Sequence, residues 1–210
     1  MIRAVKLTMA ATALAGLAAC GNDTAATGPL GVLAQTAGQV VAERRAEPAA
    51  PAKTPAQAAA EALRVNQGPL IQAGFENLGR TQVMALTGQN GAMRTYMTPS
   101  EEALIIRDGL LVGTRGLGND LSVAEIGTAA AIRAGSGSGT RVMRYFSGDG
   151  LERPLRFDCT VGAGPQPGVT VENCEGHGVT FQNSYGAQGA VSRQWIGPAA
   201  GYVTIQTLRP

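Results

Sequence analysis

Aromatic residues are scarce in this 210-residue chain, 4% of it, and it has one histidine and one tryptophan. A catalytic triad needs a base, and the lone His177 stands between Gly176 and Gly178, an expected turn, with no Gly-x-Ser-x-Gly elbow elsewhere. An excess of either charge is missing too. Seventeen Lys+Arg against 15 Asp+Glu leave +2, and the two surplus cations are Arg3 and Lys6. Beyond residue 19 the chain is formally neutral, which argues against electrostatic steering to a polyanion and so against a nucleic-acid partner. Gly116-Leu117-Gly118 lacks the third glycine and the βαβ setting of a dinucleotide site, so no cofactor is expected. What the chain does have is 44% hydrophobic residues, 29 Gly and 11 Pro: enough for a core, with many turns.

The start reads MIRAVKLTMAATALAGLAAC: two cations, 13 uncharged residues from Leu7 to Ala19, then Cys20. This is a signal peptide over residues 1–19, because 13 residues span roughly 20 Å as a helix, well short of a ~30 Å hydrocarbon core. Leu17-Ala18-Ala19-Cys20 resembles the lipobox of bacterial lipoproteins, which implies cleavage before Cys20 and acylation of it. Several acyl chains hold a protein on a membrane without its crossing. Gly21 and Asn22 follow the cysteine where an Asp would favour the inner membrane, so the resemblance implies the periplasmic face of the outer membrane.

Residues 20–67 read as an Ala/Pro-rich tether, too poor in bulky apolar residues to order throughout, with helical stretches at Leu30 to Ala46 and at Ala56 to Val65 behind Thr54-Pro55. Residues 68–210 carry strand and hairpin signals. Gln89-Asn90-Gly91 joins 81–87 to 92–98, Asp108-Gly109 joins two apolar runs at 103–107 and 110–114, and 147–150 joins 141–146 to 151–160. Further strands are expected at 169–174, 179–184, 190–196 and 202–208, with a helical pattern from Asp120 to Arg133 and a flexible connection at 135–139. The expected fold class is therefore mainly β: an antiparallel barrel or sandwich with a short helix.

In an oxidising compartment Cys159 and Cys174 are most simply a disulfide closing a loop of about 15 residues. The competing reading, a metal held by Asp158, Cys159, Cys174 and His177, lacks zinc spacing. The adjacent Glu101 and Glu102, and Glu172 with Glu175, are expected on the surface rather than as a catalytic pair. Two stretches invite a ligand or partner face: Arg115 to Asp120, and Arg193-Gln194-Trp195 with Tyr202. An exposed Trp beside Arg and Gln suits a sugar ring; in the other reading Trp195 fills the core and Arg115 or Arg193 pairs with Asp120.

The lipobox, Asp108-Gly109-Leu110-Leu111-Val112-Gly113-Thr114-Arg115-Gly116-Leu117-Gly118-Asn119-Asp120-Leu121, Arg156-Phe157-Asp158-Cys159, and Ser192-Arg193-Gln194-Trp195-Ile196-Gly197-Pro198 with Gly201-Tyr202 occur in that order. In them the chain resembles the YjbF-like outer-membrane lipoproteins, or group 4 capsule polysaccharide lipoproteins (GfcB-like). The resemblance implies a barrel-like fold and a part in making or exporting capsular or extracellular polysaccharide. The expected function is a non-enzymatic accessory, membrane-bound through Cys20 and contacting polysaccharide or other proteins of the export system. A polysaccharide-modifying enzyme using Asp or Glu near Asp120 or Glu175, or a purely structural envelope lipoprotein, are the alternatives.

Overall fold

Each Gly-containing turn of the sequence reverses the chain, so consecutive strands pair antiparallel. The structure is a computed structural model that describes residues 52–146, 151–186 and 189–210; Cys20, the helix expected over 30–46 and the turn at 147–150 lie outside them. Helix α1 (Pro55–Val65) precedes β1 (Leu70–Phe75), β2 (Arg80–Asn90), β3 (Met93–Met97), β4 (Ala103–Arg107), β5 (Leu110–Arg115) and β6 (Leu121–Ile126). Helix α2 (Ala129–Ala134) follows, then β7 (Gly137–Phe146), β8 (Glu152–Ala163), β9 (Thr170–Gly176), β10 (Val179–Tyr185), β11 (Val191–Gly197) and β12 (Gly201–Arg209). All twelve strands form one antiparallel sheet in which neighbours in sequence pair, except β5 and β6; β1 pairs with β12. The sheet curls into a nearly closed barrel whose seam runs between β5 and β6.

Alternation along the strands sets inside from outside. Phe157, Cys159 and Val161 on β8, Cys174 on β9 and Phe181 on β10 are buried. Between them Asp158, Thr160, Asn173, Glu175, Thr180 and Gln182 face water. This is the reverse of a membrane-spanning barrel, which is apolar outside. On β5 five consecutive residues are buried, as continuous apolar character leads one to expect.

Helix α1 starts as Thr54-Pro55 predicts. The Thr54 hydroxyl accepts the Gln57 N–H, Gln57 Oε1 accepts the Thr54 N–H, and Pro55 occupies the first turn, where its missing donor costs nothing. The helix belongs to the folded unit: Ala59 is buried, Gln72 donates to Pro55 O, and Arg209 donates to Leu63 O at 2.7 Å and to Asn66 O. A cation on the last carbonyls of a helix also opposes its dipole.

Three expectations are corrected. The helical pattern over Asp120 to Arg133 is strand β6 followed by the six-residue α2. A register shift between Leu121 and Val123 breaks the alternation, so the buried Leu121 and Ala124 lie three apart, a helix-like spacing inside a strand. The flexible connection at 135–139 is the end of α2 and the start of β7. There a Cβ on Gly137 would lie 2.9 Å from Ala131 Cβ, and one on Gly139 would lie 3.1 Å from Gly127 O. Glycine is needed for α2 and its entry to lie against the strand. Thirdly, Glu102 and Glu172 are not surface residues: they are 8% and 0% exposed.

Candidate functional site

Strands β10 and β11 pair at only two positions, Ser184 with Arg193 and Tyr185 with Ser192. Past these, side chains replace the ladder: Asn183 Oδ1 accepts the Trp195 N–H at 2.7 Å, and the Tyr202 hydroxyl accepts the Gln182 N–H at 3.1 Å. Trp195 is 6% exposed, stacked on Phe181 at 4.4 Å and edge-on to Phe157 at 5.8 Å. Arg193 donates twice to Glu76, at 2.5 and 2.7 Å, and its guanidinium lies 3.4 Å from the Tyr202 ring centre. The hydrogen bond from Arg193 is the main reason the Glu76 carboxyl sits below its ordinary range. Gln194 spans the barrel interior, accepting the Leu111 N–H at 2.8 Å and donating to Gly109 O at 2.9 Å.

The β5–β6 seam is closed in the same manner. Asp120 Oδ1 accepts from Thr114 Oγ1 at 2.8 Å and from the Leu117 N–H at 3.1 Å, while Oδ2 accepts the Gly116 N–H at 2.8 Å. Thr114 Oγ1 accepts the Leu121 N–H, and Arg115 donates to Leu121 O at 3.2 Å and Ser122 O at 3.4 Å. Gly113 permits this approach: a Cβ there would lie 3.3 Å from Ser122 O. Neither Arg115 nor Arg193 pairs with Asp120. We expect Asp120→Ala, which unties three donors, to lower stability by about 1–2 kcal/mol, read as a lower urea midpoint at unchanged slope. An unchanged midpoint would remove the clasp from the account.

Away from the loop the seam widens into an outer cleft of about 930 Å³, with Ile105, Val112 and Ile126 in its walls and Arg107, Arg115 and Arg133 among its polar residues. A second, shallower depression of about 800 Å³ on the outer face of β7–β10 includes Asp158, Glu175, Gln182 and Tyr202. Asp158 and Glu175 stand opposite each other on β8 and β9 and are both exposed. A glycosidase needs one of its two carboxyls desolvated. His177, at φ 53°, accepts the Arg156 N–H at 3.2 Å through Nε2 and meets Phe157 edge-on.

Sequence reasoning missed the largest polar cluster. Arg141 and Glu172, 1% and 0% exposed as side chains, bond at 2.7 Å inside the barrel. Glu172 also accepts from Thr128, from Asn183 Nδ2 at 2.8 Å and from Tyr185 Oη at 2.9 Å; Arg141 reaches Tyr185 Oη at 3.1 Å. Burial pushes the Tyr185 hydroxyl far up, so it stays a proton donor. Cys159 and Cys174, directly opposite on β8 and β9, are disulfide-bonded. Glu172 lies beside them, the one cluster of metal-ligand types among the described residues, but its sulfurs are bound to each other and its carboxylate to Arg141.

A family model described as group 4 capsule polysaccharide lipoprotein gfcB, YjbF, matches residues 34–208. The chain belongs to this YjbF family. The crystal structure of the hypothetical lipoprotein YmcC from Escherichia coli K12 has the same fold, with a TM-score of 0.59 at 16% identity over 88% of this chain and 97% of that one. No curated protein matches the chain. In this YjbF-family protein both motif stretches therefore have a visible task in the barrel. Arg115 and Asp120 fasten the β5–β6 seam, Trp195 and Tyr202 fasten the β10–β11 split, Gln194 ties β11 to β5 across the interior, and Arg193 ties β11 to Glu76.

Proposed function

We propose that this YjbF-family protein is a lipid-anchored accessory of capsule or exopolysaccharide production, held by Cys20 at the periplasmic face of the outer membrane. It binds glycan or a partner of the export machinery rather than catalysing. Membership of the capsule polysaccharide lipoprotein family carries this reading. The barrel's carboxylates support binding over hydrolysis: Glu172 is neutralised by Arg141, and Asp158 and Glu175 are exposed. The β5–β6 cleft, about 930 Å³, is one face open to a partner.

Deleting the gene is expected to lower extracellular polysaccharide, and restoring the wild-type chain to recover it. Cys20→Ser is expected to leave the membrane fraction and to recover less. Unchanged polysaccharide in every growth condition would overturn the role, and an unacylated Cys20 by mass spectrometry would overturn the anchor.

A further inference from the structure

In this up-and-down barrel the β2–β3, β4–β5 and β10–β11 turns share one end with the start of β1 and the end of β12. Helix α2 covers part of that end, packing Ile132 against Leu110, Val161 and Tyr185. The rest opens into a mouth of about 630 Å³, within the roughly 300–1,000 Å³ of ligand pockets. Its walls include the buried Ile71, Ile106 and Ile205, with Arg94, Tyr96 and Asp108 among the polar residues.

Tyr96 is 4% exposed, yet its hydroxyl has no hydrogen-bond partner among the described residues. The oxygen is not enclosed, since the buried unpartnered side-chain atoms among the described residues belong to Arg80, Gln82 and Glu102; the Tyr96 hydroxyl opens into the mouth, where a ligand can reach it. Arg94 and Asp108 also line the mouth, and neither has an ion pair among the described residues. The mouth thus joins an aliphatic surface to one charged donor, one charged acceptor and one unused hydroxyl. An acyl chain would cover these polar groups without satisfying them, which disfavours it. A pyranose uses both halves: its C–H face lies on the isoleucines, and its hydroxyls bond to Arg94, Asp108 and Tyr96 Oη.

We propose that the barrel mouth is a saccharide site that takes the end of a glycan chain, gripped by Arg94, Tyr96 and Asp108 over Ile71, Ile106 and Ile205. The site rests on the glycan reading of the function and narrows it to one place on the fold, next to the outer β5–β6 cleft, with which it shares Asp108 at the rim.

The test is a titration of the full chain, isoleucine-methyl-labelled and in detergent, with oligosaccharides released by mild acid from the producing cells' extracellular polysaccharide. The methyls of Ile71, Ile106 and Ile205 are expected to shift and saturate. Tyr96→Phe is expected to weaken binding roughly three- to tenfold, the factor one hydrogen bond supplies, with an unchanged melting temperature. Arg94→Ala is expected to weaken it further.

Three results overturn the site: shifts at Ile105 and Ile126, which line the outer cleft, in place of the mouth; shifts with decanoate but none with oligosaccharide; or no change in affinity in Tyr96→Phe. No shift at all from oligosaccharide overturns it as well. If the gene deletion still lowers polysaccharide, the accessory role stands and its partner is a protein; if it does not, both readings fall.

Discussion

Arg141→Met is expected to destabilise the barrel by about 3–5 kcal/mol, because it leaves the Glu172 carboxylate buried without its cation. Thr128, Asn183 and Tyr185 still donate to it, but dipoles do not neutralise a charge. Replacing both partners, Arg141→Met with Glu172→Leu, is expected to recover part of the loss. Recovery is incomplete because Asn183 and Tyr185 then lose their acceptor. Guanidinium unfolding of the wild type and the two variants gives the comparison, and a loss below about 1 kcal/mol in Arg141→Met alone would contradict a buried charge pair.

The same pair predicts the pH response. Burial alone would raise the Glu172 carboxyl; the charge of Arg141 and the hydrogen bonds from Thr128, Asn183 and Arg141 outweigh it and hold the group below its ordinary 4.5. A carboxyl depressed on folding contributes stability that is fully present above its unfolded value and lost as pH falls through its folded value. Stability of the wild type is therefore expected to fall below about pH 4.5, and Glu172→Gln to lose that portion of the slope. Equal acid slopes in the two proteins would contradict it.

Removing the disulfide is the second large effect. With Cys159 and Cys174 separated by 15 positions in sequence, the chain-entropy model assigns the bond about 3 kcal/mol. The sulfurs are in the core, with the residues 2% and 3% exposed, so the oxidised fold protects the bond. We expect Cys159→Ala with Cys174→Ala, or reduction after unfolding, to lower the urea midpoint in proportion, while the Arg141–Glu172 pair continues to hold β7 to β9. Midpoints that agree with and without reductant would show that the strand pairing alone fixes this corner.

The barrel's local steps were legible because turn chemistry and alternation are local. Asp108-Gly109 is the β4–β5 turn, with φ 51° and 81°, and Thr54-Pro55 opens a helix. Reading failed where tertiary contact overrides composition. Gly137 and Gly139 look like linker, but their missing side chains admit α2 and its entry to β7. Leu121 and Ala124 look helical because a bulge spaces them by three. The strand Leu70–Phe75 gave too little alternation to be expected at all.

The candidate site divides along the same line. Residue types and order alone picked out Arg115, Asp120, Arg193, Gln194, Trp195 and Tyr202, and alone marked Cys20 and the Cys159–Cys174 pair. Only the folded barrel could decide what the six do, since a side chain's role depends on the strand that happens to lie across from it. It places Trp195 against Phe181, ties Arg193 to Glu76, and joins Arg141 to Glu172 across 31 residues of sequence. It also leaves Tyr96, an unremarked tyrosine in a short strand, with a hydroxyl at an open mouth. Burial and partnership are properties of the closed sheet, and no segment of the chain carries them by itself.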